Sequence, residues 1–181
     1  MQMNRVLCLI LAGGRGSRFG SPLKFLSNIC GKPILERLVE DIDVVCQHIL
    51  IALSKRTLNA SYICRGSLVD CIETPGESFV EDLSLLLDAL PKPILAVAAD
   101  IYIPYKGILV DFLKSAIESE KDITTLTTID KNGCEELIGI ALFKKASGSW
   151  KNVQYPQDSI VDVDEASDLE KARHLCESHY K

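Results

Sequence analysis

The sequence predicts an α/β fold in which helices cover both faces of a mostly parallel, mixed sheet, forming a three-layer α/β/α sandwich. Residues 6–11 are an unbroken apolar run of strand length, which is typical of a strand buried on both faces. Apolar residues at helical spacing follow over residues 34–46, and a second short apolar run covers residues 48–53. Strand and helix patterns that alternate in this way predict βαβ units.

The alternation continues to the end of the chain. Ser78 followed by Glu81 fits a capping box and predicts the start of a helix. Residues 55–65 are ambiguous, although a short helix fits them. The remaining predicted elements are strands at 68–72, 93–99, 123–129, 137–143 and 159–164, and helices at 105–118 and 168–179. The strands at 123–129 and 137–143 form a hairpin-like stretch, which makes the predicted sheet mixed.

Composition restricts the kind of protein. A chain of 181 residues with 47% hydrophobic residues is expected to form a single domain over residues 1–181. Its net charge of −5, without a long basic run, argues against nucleic acid as a partner. The sequence contains no run of eighteen apolar residues, so we expect no membrane span, and its first residues do not resemble a signal peptide.

The seven cysteines are odd in number, and no two have C-x-x-C spacing. These features argue against a zinc site and against a disulfide framework. We therefore expect a cytoplasmic protein with reduced thiols.

A glycine-rich loop follows the first strand and contains Gly13, Gly14, Gly16 and Gly20. Glycine lets backbone N–H groups point inward and lets an anion approach closely. Arginines within the loop and Lys24 beyond it add positive charge, so the stretch predicts a phosphate-binding cradle. The spacing fits neither the Walker pattern nor G-x-G-x-x-G. The alternative is an ordinary strand-to-helix turn with solvated basic residues.

The run LAGGRGSRFG, followed by Lys24 and by Gly31-Lys32-Pro33, resembles the signature of the MobA-like nucleotidyltransferases with a glycosyltransferase-A-like fold. That family includes sugar-phosphate pyrophosphorylases, molybdenum-cofactor guanylyl- and cytidylyltransferases, and archaeal-type GTP:adenosylcobinamide-phosphate guanylyltransferases. This sequence resembles the last class most, because the resemblance extends through the Thr74-Pro75-Gly76-Glu77 loop to the compact C-terminus. The resemblance implies the nucleotide-diphospho-sugar transferase fold.

The resemblance also implies the roles of individual residues. Arg18, Lys24 and Asp100 would be catalytic, with Arg18 on the leaving pyrophosphate and Lys24 on the α-phosphate. Asp100 ends an apolar strand, and in the family this aspartate binds the divalent metal; the alternative is that Asp100 only caps the following turn. The positions implied to bind the nucleotide are Leu11, Ala12, Gly13, Gly14, Arg15, Gly16, Arg18, Lys24, Thr74 and Gly76. Pro75-Gly76 is explained equally well as a turn before a capped helix.

The second metal ligand has two candidates, Asp164 and Asp162. The segment from Asp162 to Leu169 resembles the family's terminal D/N-x-D/N-T-P-E-D-L segment, which implies Asp164 as the ligand. Asp162 lies on the same side of a strand and is an alternative. Asp164 or Ser167 fits an N-cap of the last helix equally well. Gly139, inside a strand, marks either a bulge or a position lining the acceptor site.

The expected enzyme transfers GMP from GTP to phosphorylated adenosylcobinamide, a step of cobalamin biosynthesis, with Mg²⁺ as cofactor and pyrophosphate as product. Its expected partners are the nucleoside triphosphate and a phosphorylated small molecule, and its expected state is a monomer or a homodimer. A molybdopterin guanylyl- or cytidylyltransferase is the first alternative. A catalytically inactive nucleotide-binding regulator is an alternative of another class.

Overall fold

The computed structural model describes residues 5–179, which form one seven-stranded sheet and two small sheets. The strands of the large sheet are β1 (Val6–Leu11), β4 (Cys46–Leu53), β5 (Val69–Glu73), β6 (Ile94–Ala98), β8 (Ile123–Ile129), β9 (Glu135–Phe143) and β10 (Trp150–Pro156). Their order across the sheet is β10-β8-β9-β6-β1-β4-β5, and only β9 runs antiparallel to its neighbours, β6 and β8. The small sheets pair β2 (Asn28–Ile29) with β3 (Lys32–Pro33) and β7 (Ile101–Tyr102) with β11 (Val161–Asp162). The predicted mostly parallel, mixed sheet is confirmed.

Helices lie on both faces of the sheet, because the side chains of β1 alternate between two apolar cores. Cys8 and Ile10 point into the core that is covered by α1 (Ile34–Ile42) and α3 (Gly107–Glu118). Leu9 and Leu11 point into the smaller core under α2 (Phe79–Ala89). The last helix, α4 (Ala166–His179), packs with β2, β7 and β11 in a third cluster beside the sheet. This arrangement is the predicted three-layer sandwich.

Several predicted bounds differ from the structure. The first helix ends at Ile42, and Cys46 already belongs to β4. Residues 55–65, which were ambiguous, contain a 3-10 helix at Leu58–Ile63. The strand β10 was not predicted, because it lies at the edge of the sheet and none of its side chains is fully buried. The predicted start of α2 is confirmed, since Ser78 Oγ accepts the Glu81 N–H at 3.1 Å.

The prediction against disulfide bonds is wrong in the structure. Six of the seven cysteines form three disulfides, and Cys134 is free and exposed. Sequence spacing did not indicate them, because two of the three pairs join positions that are far apart in the chain. The pairs are Cys8–Cys46, Cys30–Cys176 and Cys64–Cys71.

Across residues 5–179, the longest apolar helices are too short to span a bilayer.

Candidate nucleotide and metal site

A cleft of about 510 Å³ opens where the parallel strands β1 and β6 end. Ligands of open α/β sheets bind at this carboxyl edge. The glycine loop lines one wall, and the residues after β6 and β11 line another. The predicted site residues along the cleft are Leu11, Ala12, Gly13, Gly14, Arg15, Gly16, Arg18, Lys24, Asp100 and Asp164. Residues that are remote in sequence are therefore brought to one place.

The glycine loop is held in a tight conformation that requires glycine at position 16. Gly16 has a φ of +59°, and a Cβ there would lie 1.9 Å from the carbonyl oxygen of Ser21. The Gly16 carbonyl also accepts the N–H groups of Gly20 at 2.9 Å and Ser21 at 3.2 Å. The loop therefore turns back on itself immediately before Lys24.

Lys24 lies between two carboxylates. Its Nζ is 2.6 Å from Asp100 Oδ2 and 2.7 Å from Asp164 Oδ1, and only 12% of its side chain is exposed. Burial alone would lower the pKa of Lys24, but the two carboxylates more than offset that effect and raise the pKa above 10.5. Arg18 forms a second ion pair with Asp164 from the more exposed side of the cleft. Two cations in and just after the glycine loop thus meet one carboxylate from the middle of the chain, Asp100, and one from near its C-terminal end, Asp164.

Asp100, Asp162 and Asp164 offer carboxylate oxygens that lie within 4.8 Å of one another. Oxygen ligands from carboxylates are those that Mg²⁺ prefers. Asp162 Oδ1 is buried and has no hydrogen-bond partner among the described residues. Burial, together with the charges of the two neighbouring carboxylates, raises the pKa of Asp162 to about 7. A buried carboxylate oxygen without a donor is what a cation site requires, so the cluster fits a divalent metal.

The backbone places these carboxylates together. β7 directly follows Asp100 and pairs with β11, which contains Asp162. The Val163 N–H also donates to the Asp100 carbonyl oxygen at 3.0 Å. Asp168 accepts the backbone N–H groups of Asp164 at 3.1 Å and Glu165 at 2.8 Å, so it holds the start of α4. The Asp164 carboxylate is directed to Lys24 and Arg18, and the alternative in which Asp164 caps the helix is wrong.

The loop after β5 lies beside the cleft, but Thr74 and Gly76, which were predicted to contact the nucleotide, direct their polar groups into the protein. Thr74 is buried, and its hydroxyl donates to the Leu53 carbonyl oxygen at 3.3 Å. Gly76 has a φ of +68°, and its N–H donates to Asp82 Oδ1 at 3.0 Å. The structure thus supports the turn interpretation of Pro75-Gly76, while nucleotide contacts of these two residues stay predictions. Arg15 reaches over the cleft to Glu77, with 2.6 Å between Nη2 and Oε2.

The bulge predicted at Gly139 is confirmed, and its role in lining an acceptor site stays a prediction. The register between β8 and β9 shifts between Thr125 and Thr127, and Gly139 lies opposite this bulge with a φ of +58°. Gly139 also lines the cleft, and a Cβ there would lie 2.9 Å from the Cβ of Ala98. A larger residue would therefore narrow the cleft next to the Asp100 strand.

Sequence reasoning missed Asp82, which lines the cleft and is buried. No role was assigned to it from the sequence, since an acidic residue in the first turn of a helix is favourable for the helix alone. A signal was present, because Ser78 and Glu81 already complete the capping box and leave Asp82 without a capping role.

Comparisons with known proteins point to one family. Residues 8–179 match the MobA-like NTP transferase domain. A stretch of 100 residues is 31% identical to the adenosylcobinamide-phosphate guanylyltransferase of Methanocaldococcus jannaschii, covering 51% of this chain and 50% of that protein. The chain thus spans about half the length of the curated relative that it matches.

Solved structures support the fold. A Bacillus anthracis protein described as a glucose-1-phosphate thymidylyltransferase superimposes with a TM-score of 0.76 at 13% identity, covering 97% of this chain and 95% of that one. The 4-diphosphocytidyl-2C-methyl-D-erythritol synthase of Anaerococcus prevotii gives a TM-score of 0.73 at 12% identity, covering 96% and 99%. At these identities the likeness concerns the fold alone.

Proposed function

Because this chain belongs to the MobA-like NTP transferase family, we propose that it transfers GMP from GTP to adenosylcobinamide phosphate and releases pyrophosphate. The nucleotidyl transfer is supported by the family and by the cleft. The choice of guanine and of the corrinoid acceptor is supported by the 31% identity, over 100 residues, with a protein named adenosylcobinamide-phosphate guanylyltransferase.

The observation that carries the proposal is the position of Lys24 between Asp100 and Asp164, at the end of a glycine loop. A nucleotidyl transfer needs cations at the phosphates and carboxylates that hold a metal, and this cleft has both within a few ångströms. An anion-binding turn alone would not require three carboxylates. Asp100 and Asp164 would hold Mg²⁺, with Asp162 beside them, and the ion would neutralise charge on the phosphate oxygens.

The chain's own groups then account for the transfer. An oxygen of the acceptor phosphate is already ionised and forms the new bond to the α-phosphorus without a general base. The bond from the α-phosphorus to the bridging oxygen of the β-phosphate breaks, and pyrophosphate leaves with both electrons of that bond. Backbone N–H groups of Gly13 to Gly16 would hold the phosphates, Arg18 would bind the leaving pyrophosphate, and Lys24 would stabilise charge at the α-phosphate.

The test is release of pyrophosphate by the full chain with Mg²⁺, in a panel of the four nucleoside triphosphates against phosphorylated acceptors. We expect release only when GTP and a phosphorylated corrinoid are both present. Release with molybdopterin and not with the corrinoid would assign the chain to the molybdenum-cofactor enzymes. Tight binding of GTP without release for any acceptor would instead identify a regulator.

A variant separates the metal role from the fold. Asp100→Ala should abolish release while leaving the circular dichroism spectrum unchanged. Asp88→Ala removes an exposed carboxylate from α2 and should leave the rate as it is. Unchanged turnover of Asp100→Ala would refute the role of Asp100.

A further inference from the structure

The last helix, α4, is held to the rest of the protein by few apolar contacts. Among its described side chains, only Leu169, Ala172 and Cys176 are buried, and only Leu169 is large. These three pack against residues of β2, β7 and β11, beside the main sheet and apart from its two cores. Because a helix of 14 residues is marginal in water without tertiary contacts, the position of α4 depends on every further link to the protein.

A disulfide bond supplies such a link near the C-terminal end of α4. It joins Cys176, which is fully buried, to Cys30 in the turn between β2 and β3. Arg173 supports the same contact, because its Nε donates to the Asn28 carbonyl oxygen at 3.1 Å. The bond therefore attaches α4 to the hairpin that follows Lys24 in the chain.

The same two segments also meet inside the cleft. Lys24 Nζ lies 2.7 Å from Asp164 Oδ1. Cys30 follows Lys24 by six residues, and Cys176 follows Asp164 by twelve. Asp168, in the first turn of α4, accepts the Asp164 N–H at 3.1 Å, so the helix fixes the backbone of Asp164. About 15 Å of helix separate this turn from the disulfide, and the ion pair and the disulfide thus connect the two segments at opposite ends.

Of the three disulfides within residues 5–179, this one is both accessible and connected to the cleft. Cys30 is exposed at its turn, so the thiolate of a reductant can reach its sulfur. Cys8 and Cys46 are buried in the core under α1 and α3, where a reductant has no access in the folded protein. Cys64 and Cys71 are joined beside the edge strand β5, and neither belongs to the cluster around α4.

We propose that the disulfide between Cys30 and Cys176 is a redox switch, which holds Asp164 in the carboxylate cluster and is opened by a dithiol; its effect on turnover rests on the proposed function. One thiolate of the dithiol attacks Cys30 Sγ, the S–S bond breaks, and Cys176 leaves as a thiolate that takes up a proton. The second thiolate of the dithiol attacks the dithiol sulfur of the mixed disulfide and releases Cys30, which is protonated in turn. The dithiol becomes a disulfide, and two electrons and two protons pass to the protein.

Opening the bond leaves α4 with its apolar contacts and the Arg173 hydrogen bond. We expect the helix to detach part of the time, because local opening begins where few buried contacts oppose it. Each detachment removes Asp168 from the Asp164 N–H, and Asp164 then loses its fixed place beside Lys24 and Asp100. A residue that orients a metal ligand contributes roughly 10–100-fold to metal affinity. The reduced protein should therefore bind a divalent cation at the carboxylates more weakly.

The test uses the full chain without nucleotide, with and without dithiothreitol. Amide hydrogen exchange is followed by mass spectrometry, and Mg²⁺ binding is measured by calorimetry. In the wild type, the dithiol should speed exchange in α4 about tenfold or more and weaken Mg²⁺ binding about tenfold or more. Oxidised glutathione, added after removal of the dithiol, should restore both. Cys30→Ser should behave like the reduced wild type in the absence of any reductant.

The matched control replaces Cys64 and Cys71 together by serine, which removes a disulfide away from α4 and should keep the wild-type response to the dithiol. Unchanged exchange of α4 in Cys30→Ser, or Mg²⁺ binding that does not respond to this change, would overturn the proposal. Loss of protection in β1 and β6 together with α4 would also overturn it, because the bond would then support the whole fold.

The proposed function is tested separately by release of pyrophosphate. If the expected responses of exchange and Mg²⁺ binding occur in a chain that releases no pyrophosphate with any acceptor, the redox switch is confirmed and the proposed function fails. If pyrophosphate release from GTP and the corrinoid is the same in the oxidised and the reduced protein, and the exchange of α4 is unchanged, the proposed function stands and the redox switch is refuted.

Discussion

Replacing Asp162 by asparagine should stabilise the metal-free protein at neutral and alkaline pH. The asparagine keeps the size of the side chain but removes the carboxylate charge next to Asp100 and Asp164. In the folded protein the pKa of Asp162 is raised from 3.8 to about 7, chiefly by burial and then by those two charges. Between these values the folded state binds one proton more than the unfolded state. Asp162 therefore costs stability progressively as the pH rises from about 4 to about 7.

The size of the effect follows from the pKa. Each pKa unit corresponds to about 1.4 kcal/mol, so a rise of about three units sets an upper limit of about 4 kcal/mol. Solvent reaches part of the side chain, and we therefore expect about half of this limit, or ~2 kcal/mol, at pH 8. For a chain of 181 residues this gain is about 4–8 °C in Tm. The gain should be small at pH 4 and vanish below it, where the carboxyl becomes protonated in the unfolded state as well as in the folded state.

The assay is thermal unfolding in EDTA from pH 4 to pH 8, for the wild type, Asp162→Asn and the exposed control Asp88→Asn. The difference between Asp162→Asn and the wild type should grow with pH, whereas the control should follow the wild type. A gain that is the same at pH 4 and pH 8 would mean that the charge of Asp162 is not its cause. A variant that is less stable than the wild type at pH 8 would refute the reasoning about burial.

Three further predictions concern catalysis, the loop and the disulfides. Lys24→Met should lower the rate of pyrophosphate release by about 10²–10³-fold, because a preorganised cation at the phosphates is lost. Gly16→Ala should lower the free energy of unfolding by about 2–4 kcal/mol in chemical denaturation, since its Cβ would lie 1.9 Å from a backbone oxygen. The control Gly14→Ala should lower it by less than about 1 kcal/mol, because a Cβ at Gly14 meets nothing within 4 Å. In chemical denaturation without reductant, Cys30→Ser should lower the free energy of unfolding by about 2–5 kcal/mol, because it removes the disulfide with Cys176. Cys134→Ser should leave the free energy of unfolding almost unchanged, because Cys134 is free and exposed.

Each of these predictions has an outcome that contradicts it. A normal rate in Lys24→Met would place the phosphates elsewhere in the cleft. Equal destabilisation by the two loop alanines would mean that the tight turn at Gly16 is not what limits substitution. If a reductant left the Tm of the wild type unchanged, the disulfide between Cys30 and Cys176 would not contribute to stability.

The central part of the fold could be predicted because its strands are buried on both faces. The run at β1 is apolar at every position, so neither its type nor its bounds depended on context. β10 was missed for the opposite reason: its side chains alternate between exposed and half-buried, but Lys151 takes one of the three half-buried positions and leaves only Val153 and Tyr155 as an apolar signal. The disulfides were missed because they depend on which strands become neighbours. Cys8 and Cys46 are 38 positions apart and meet only through the pairing of β1 with β4.

The candidate site could be predicted where a residue type has one strong use. A glycine-rich loop after a buried strand indicates Gly16, and a carboxylate at the end of another buried strand indicates Asp100. Asp164 could not be distinguished from a helix cap in sequence, because the choice depends on Asp168 taking over the backbone N–H groups. The position of Asp82 in the cleft wall could not be predicted, because its burial depends on the loop after β5, whose Gly76 N–H donates to it.

The charges of the cleft explain why the glycine loop and the carboxylates are needed together. Without nucleotide, Lys24 and Arg18 offset the negative charges of Asp100 and Asp164. The raised pKa of Asp162 leaves its carboxyl partly protonated at neutral pH, which reduces the third negative charge. In the proposed transfer, a triphosphate would use the same two cations and would compete with the carboxylates for Lys24 and Arg18. Backbone N–H groups of the loop cannot resolve this competition alone, because they carry only partial charge. Under the proposed function, a divalent cation at the carboxylates would take over their neutralisation and would free Lys24 for the phosphates.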